Sequence, residues 1–525
     1  MTRPVLIRGG EIHDGQGGEP IPGDVLVAGD GILAIGAIEP PETARIVDAS
    51  GCIVAPGFID VHSHSDYTLL VDPRAVSSVL QGVTSEIVGN CGHGCSPFLN
   101  RRLGPIAVYG PVGGHEPPPA SMGAYFEALV TRRPAVNVMS LVPNGQLRLG
   151  CVGLEARPAV KDELKAMARQ LDAAMEEGGA GLSTGLEYAQ EAGATEDEVV
   201  ALAQVAARRG GIYATHTRDR DENALEAVGE AIRIAGRAEL PLQVSHITPR
   251  SGMAAVEACI EAVLEARRNG NPVEFDMHTR TFGFTHLKNL VPASALEGQP
   301  AKIRALLADT GVRAALKAHR NLITRCGWHK VVLTRSRSNA EFCGMTFADI
   351  GTALGRHAHD AALDILADEA DDLLHPMVIL KTYTEEQLVR TYAADRCMIG
   401  SDATALAPDG PLAGEVFYGA YGWASWFWRR VVRETHALSQ PEAIHRLTGL
   451  PAAVFGLADR GHLAPGMKAD IVVFDPDSFM ERATFARPNL PAIGVRHLFV
   501  NGVHTVEDGS LTGDRGGVVL TRSGR

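Results

Sequence analysis

The chain has 525 residues, 45% hydrophobic and 21% charged, with 49 Lys and Arg against 62 Asp and Glu, a formal net charge of −13. That much apolar surface excludes a dominantly disordered chain, and the acidic balance opposes a nucleic-acid partner, whose phosphates want basic patches. No run approaches the ~20 uninterrupted apolar residues of a membrane span, so no membrane partner is expected.

The opening MTRPVLIRGGEIHDG lacks the apolar run of a secretory signal and reads as a strand and turn, so a cytoplasmic location is expected. Short strands follow at Pro4–Arg8, Asp24–Ala28, Ile32–Ile35 and Ala44–Asp48, each bounded by Gly, Pro or Asp. From residue 57 the texture changes. Apolar strands at Phe58–His64, Val83–Gly89, Val136–Val142, Gly181–Tyr188, Gly211–His216, Leu242–His246, Val273–Asp276 and Cys397–Asp402 alternate with amphipathic stretches such as Ala159–Glu177 and Glu196–Arg209. This pattern predicts an α/β fold, a (β/α)8 TIM-like barrel over 57–464. The stretch between the seventh and eighth strands is too long for one loop. It predicts a helical insertion at about 285–390, with helices over Ala301–Arg320 and Thr346–Ala367. Beyond it, Ala469–Phe474 and Val495–Val500 return to strand texture, the second followed by an Asn501-Gly502 hairpin turn. Neither end has enough residues for a core, so 1–56 and 465–525 are expected to build one small β domain together. The eight cysteines are scattered rather than paired, and free thiols are expected.

In such a barrel the reactive groups stand at the carboxyl ends of the strands. The first strand ends in Asp60-Val61-His62-Ser63-His64, where two histidines at i and i+2 share a face. The second ends at Asn90-Cys91-Gly92, the fifth at His216, the sixth at His246 and the eighth at Asp402. Imidazole, thiolate and carboxylate are all zinc ligands. Singly, each reads as a structural histidine, a packed thiol or a helix cap. Together, at five strand ends, they point to a metal. His93 and Cys95 lie in the tight NCGHGCSP loop and need not reach it, while His115 and His278 read as exposed-loop residues that could touch a substrate.

The PGFIDVHSHSD segment resembles the signature of the amidohydrolase superfamily. With GNCG at 89–92, THTRD at 215–219, Ser245-His246 and Gly400-Ser401-Asp402, the chain resembles the D-aminoacylase family, the N-acyl-D-amino-acid deacylases. The likeness runs over nearly the whole chain, including DRGHLAPGMKADIVVFDP near its end. The separations of 27 from His64 to Cys91 and 30 from His216 to His246 are similar to that family's ligand pattern. The resemblance implies hydrolysis of a linear amide, with a small-molecule N-acyl-D-amino acid as partner. It implies Cys91, His216 and His246 as a tight zinc site, with His62, His64 and Asp402 lining a second, weaker position. Asp402 would also be the catalytic proton shuttle.

An acyl amino acid carries a carboxylate, which calls for an arginine or lysine. Arg250 and Arg280, four residues beyond strands six and seven, are expected to supply it. Arg218 reads equally as a surface residue paired with Asp219 or Asp221. Tyr188, at the position of a family tyrosine, is expected to hydrogen-bond the substrate. The chain departs from the family where Asn144-Gly145 replaces His-Gly, where Thr248 and Arg250 replace a lysine, and where Asp276–Arg280 reads DMHTR instead of Tyr-Pro-Tyr. These departures lie where specificity is set. A cyclic amide, imide or N-carbamoyl substrate, as in dihydropyrimidinase-like relatives, is therefore the alternative. A catalytically dead scaffold predicts lost ligands, and the set is intact. The oligomeric state, a homo-oligomer included, is left open.

Overall fold

The computed structural model describes residues 3–100 and 117–522. The two chain ends share one sheet. Val5–Ile12, Ile21–Ala28, Gly31–Gly36, Arg45–Asp48 and Ile53–Pro56 join Ile471–Phe474, Val495–Val500, Val503–Glu507 and Ser510–Leu511 in nine strands. At the seam, antiparallel pairing sets Ile53 against Phe474 and Pro56 against Ile471. Ile7, Val25, Val54, Ile471, Val473 and Phe499 pack across it, so neither end buries its apolar face alone. The strand Ile53–Pro56 escaped the sequence reading because all four residues are buried, leaving no alternation to detect. Asn501 and Gly502 both have positive φ, +48° and +73°, as a tight hairpin turn requires.

Between these ends the strands are parallel. Phe58–Asp60, Val83–Val88 and Asn137–Ser140 form one sheet. Val142–Pro143, Gly181–Gly185, Ile212–His216, Leu242–Val244, Val273–His278 and Cys397–Gly400 form another. The two meet at both edges. At one, the chain passes from Ser140 through Leu141 to Val142 and so from one sheet into the other. At the other, Ser63 pairs in parallel with Ala403, and the Asp402 N–H donates to His62 O at 2.7 Å. Helices Lys161–Glu176, Glu196–Arg208, Ala224–Ala238 and Met253–Arg268 intervene between successive strands and bury residues such as Leu171, Leu202, Ile234 and Ile260. Thr195 caps the second of these, its side chain accepting the Glu198 N–H. Asp470 ties the end sheet to the parallel strands, accepting from Asn137 Nδ2 at 2.9 Å, from the Asn501 N–H at 2.6 Å and from Arg460.

The insertion corrects an expectation, because it is not purely helical. Helices Pro300–Ala308, Thr310–Ala318, Leu322–Cys326, Phe347–Ala353 and Ala358–Asp368 are accompanied by an antiparallel sheet of Phe282–His286, Met377–Lys381 and Val331–Arg335. Short apolar runs such as VVL and MVIL have no period that separates strand from buried helix. The insertion's core, with Leu287, Leu290, Phe347, Leu366 and Val378, is continuous with Cys91 and Tyr188. All eight cysteines are free thiols. Among the described residues no helix is long and apolar enough to cross a membrane.

The shared sheet sets a test of construction. Deleting residues 465–525 removes the partner of Ile53–Pro56 and strips one wall of the seam core, so soluble expression is expected to be lost. Soluble, active truncated protein would refute the interdependence of the two ends.

Candidate metal centre

The side chains beyond the parallel strand ends converge. One ligand atom each from His62, His64, Cys91 and Asp402 lie within 4.8 Å of one another, as do those of Cys91, His216 and His246. Cys91 belongs to both groups. Its Sγ stands 3.1 Å from His62 Nε2 and 3.3 Å from His246 Nε2, and His64 Nε2 stands 3.2 Å from Asp402 Oδ1. The thiol and the four imidazoles are buried, while the Asp402 side chain keeps 17% exposure.

The backbone is bent to bring them there. Cys91, His246 and Asp402 have φ of +56°, +36° and +44°, a region costly for any residue with a Cβ. Each turn is held from outside: the Asp402 N–H by His62 O, the His246 N–H by Asp276 Oδ1 at 2.9 Å, and the Gly92 N–H by Ser183 Oγ at 3.2 Å. Gly92 itself admits no side chain, since a Cβ would stand 1.7 Å from Glu191 Oε1.

Carboxylates stand behind the imidazoles. His62 Nδ1 lies 3.3 Å from Asp276 Oδ1, and His216 Nε2 lies 2.8 Å from Glu187 Oε2. Such partners fix ring orientation and tautomer in metal sites. Burial lowers His216 to about 4 and, with Arg220 nearby, takes His246 well below its usual value. Both rings are therefore neutral at pH 7, the form that ligates a metal. Burial works to raise Asp402, but the Arg280 guanidinium and the His64 hydrogen bond outweigh it and hold the carboxyl well below the usual range. His216 Nδ1 and His246 Nδ1 are buried with no hydrogen-bond partner among the described residues. One thiol, four imidazoles and a carboxylate, with ring nitrogens left unpartnered, fit a borderline-soft divalent cation.

The residues assigned to substrate sit differently from expectation. Arg280 donates from Nη2 to Asp402 Oδ2 at 2.7 Å and from Nη1 to Ser401 O at 2.6 Å. Arg250 is engaged by Glu187 and by Asp221 Oδ1 at 3.0 Å. Both guanidiniums thus face internal carboxylates, which removes the ground for giving either one the substrate carboxylate. Arg218 pairs with Glu230 at 2.8 Å rather than with Asp219 or Asp221. His278 is buried at its strand end, 6.2 Å ring to ring from His246, and not on an exposed loop. The Tyr188 ring lies between those of His93 and His216, 4.4 and 4.6 Å away. Neither His93 nor Cys95 joins a ligand group. His115 lies outside the described residues. Of the departures, Asn144 donates to Glu191 Oε2 at 2.7 Å, and Thr248 Oγ1 lies 2.8 Å from Thr391 Oγ1.

Residues 45–506 match the model of the amidohydrolase family. This chain belongs to that family. It is 33% identical over 508 residues to the N-acyl-D-glutamate deacylase of Alcaligenes xylosoxydans xylosoxydans, covering 95% of this chain and 92% of that one. A crystal structure of D-aminoacylase, described as defining a novel subset of amidohydrolases, superposes with TM-score 0.80 at 28% identity, covering 99% of both chains. The N-acyl-D-glutamate deacylase of Bordetella bronchiseptica, complexed with zinc and a phosphonate mimic of the tetrahedral intermediate, superposes with TM-score 0.78 at 31% identity. It covers 98% of this chain and 99% of that one.

In this amidohydrolase the sequence reading missed the supporting acids Glu187 and Glu191 and the cation Arg220. Their one signal was polarity beside apolar strand ends, which surface loops also show. Glu191 generates a test. It accepts hydrogen bonds from Asn144 and the Gly185 N–H, yet burial dominates and pushes its carboxyl up to about 7. A carboxyl raised in the folded state contributes fully below its unfolded value, and that contribution is lost as pH rises toward the folded value. Glutamine keeps the shape and cannot ionise, and the Asn144 amide can turn its oxygen to meet it. Glu191→Gln is expected to match the parent's unfolding free energy at pH 4 and to exceed it at pH 8 by at most about 3 kcal/mol. Denaturant unfolding at both pH values checks this, and a variant weaker than the parent at pH 8 refutes it.

Proposed function

We propose that this amidohydrolase uses zinc to deacylate an N-acyl-D-amino acid, releasing a carboxylate and the free D-amino acid. The observation that carries the reading is the buried thiol shared by two groups of imidazoles, in a chain similar along its length to N-acyl-D-amino-acid deacylases. Counting Asn137–Ser140 and Val142–Pro143 as one, we read the parallel strands as a (β/α)8 barrel over 57–464, with its insertion between strands seven and eight and a small β domain from 1–56 and 465–525. Eight free thiols support a reducing, cytoplasmic setting.

Cys91, His216 and His246 would hold one zinc tightly, and His62, His64 and Asp402 would line a second, weaker position. A zinc ion there supplies Lewis acidity, polarising the amide carbonyl and making water nucleophilic near neutral pH. Asp402 takes a proton from the attacking water and returns it to the departing nitrogen, since an amine anion is too poor a leaving group to go unprotonated. Arg280 fixes the Asp402 carboxylate and keeps it ionised, ready to accept. Glu187 and Asp276 orient His216 and His62, and Arg250 holds Glu187 in turn. Tyr188, its ring tilted against that of His216, would direct its hydroxyl to the substrate.

Three measurements test this. The parent is expected to hydrolyse N-acetyl-D-amino acids and to spare both the L-enantiomers and cyclic or N-carbamoyl amides; turnover of the cyclic compounds alone would favour the alternative bond. Cys91→Ala should lose most tightly bound zinc, read by elemental analysis, and nearly all turnover. Full metal content and rate in that variant would mean that Cys91 is no ligand. Asp402→Asn is nearly isosteric but carries no proton, so it should keep the tight zinc while kcat falls by roughly 10²–10⁴. Loss of metal along with activity would make Asp402 structural, and a rate within about tenfold of the parent would remove it from proton transfer.

A further inference from the structure

Five arginines are buried among the described residues, and four of them face a carboxylate: Arg148 pairs with Glu198, Arg280 with Asp402, Arg446 with Glu442 and Arg460 with Asp470. Arg220 is the exception. It is 6% exposed, and the hydrogen bonds of its guanidinium to described residues run from Nη2 to His246 O and to Thr248 O, the latter at 3.1 Å. Its guanidinium carbon stands 5.6 Å from the centre of the Tyr383 ring, and that ring lies 5.5 Å from His278. A buried cation with two carbonyl dipoles and an aromatic face is incompletely compensated, because taking an ion out of water costs several kcal/mol that only a full counter-charge offsets.

Position makes this cation useful. Its Nη2 holds the carbonyl of His246, whose imidazole joins the metal group, and its charge acts on His216, His246 and His278 alike. In an N-acyl amino acid three bonds separate the scissile carbonyl carbon from the carboxylate carbon. An amide carbonyl held at the His216 and His246 rings therefore has its carboxylate within one residue's width. Arg250 and Arg280 are nearby but already neutralised by Glu187, Asp221 and Asp402. Neither Nε nor Nη1 of Arg220 hydrogen-bonds a described residue, so each keeps an N–H to donate to a carboxylate oxygen.

We propose that Arg220 is the residue that binds the α-carboxylate of the substrate, with the Tyr383 ring as the platform that keeps its guanidinium plane in place. The inference rests on the deacylase reading and names the contact by which that site would select a free amino-acid carboxylate.

The experiment compares an N-acetyl-D-amino acid with its primary carboxamide, which has the same scissile bond and no anion. The parent should prefer the carboxylate, and Arg220→Met should lower its kcat/KM by roughly 100-fold, chiefly through KM. The ratio of carboxylate to carboxamide turnover should collapse by more than about tenfold. Arg220→Lys, which keeps the charge and loses the fixed guanidinium donors, should fall between, and serves if the methionine variant does not fold. Zinc content and the thermal midpoint are read alongside. Removing an uncompensated buried charge should not lower the midpoint. Equal losses on both compounds, with a lowered midpoint or lost zinc, would make Arg220 a structural support of His246 and overturn the proposal. A parent that turns over both compounds equally also overturns it while leaving the deacylase reading in place. A parent that turns over neither overturns both.

Discussion

The meeting of the first and last parallel strands governs the geometry of the site. The Asp402 N–H donates to His62 O at 2.7 Å, the His64 N–H donates to Ala403 O at 2.8 Å, and Asp60 Oδ1 accepts from the Ser401 N–H at 2.8 Å and the His62 N–H at 3.2 Å. These bonds lock the HSH segment to the GSD segment, more than three hundred residues away in the chain. They also force Asp402 into the left-handed region, which turns its carboxylate toward His64 and away from its own strand. Without that seam, the segment carrying His62 and His64 and the segment carrying Asp402 would be two unrelated loops.

Strain and burial are concentrated at the same place. Three residues with left-handed backbone, a buried thiol and neutral imidazoles each cost stability, about 1–3 kcal/mol for each strained residue. The cost is sustained because the surroundings over-determine each position. Asp276 serves twice, receiving the His246 N–H and facing His62 Nδ1, and Glu191 fills the space above Gly92 that any side chain there would need. The insertion adds to this, since its apolar core is continuous with Cys91 and Tyr188.

Buried carboxyls such as Asp60 and Glu191 are met by amide donors. Asp402, by contrast, is matched to Arg280 and His64, and Glu187 to Arg250 and His216. In low dielectric such pairs are retained because an unmatched member is expensive, and they hold the ionised carboxylates where a proton or a ring must be placed. The residues nearest the reacting atoms are thus oriented by partners that never touch substrate.

The alternation of apolar strands with amphipathic helices, and the placing of His62, His64, Cys91, His216, His246 and Asp402 at strand ends, were legible in the sequence because both are local: each depends only on the chain's own period and on the residue types at a strand's end. The sharing of a sheet by the two ends was legible too, since neither end carries apolar residues enough for a core. The order of residues does not contain the identity of partners. Arg280 and Asp402 are 122 positions apart, and Arg250 and Glu187 are 63 apart, so nothing local distinguished a guanidinium already committed to a carboxylate from one open to a ligand. The antiparallel sheet of the insertion was hidden for a related reason. Its strands are short, largely apolar runs, and pairing with partners distant in the chain, Phe282 with Lys381 and Val331 with Leu380, not periodicity, makes them strands. Elements arise from local physics; which charges neutralise one another is decided only when the chain has closed on itself.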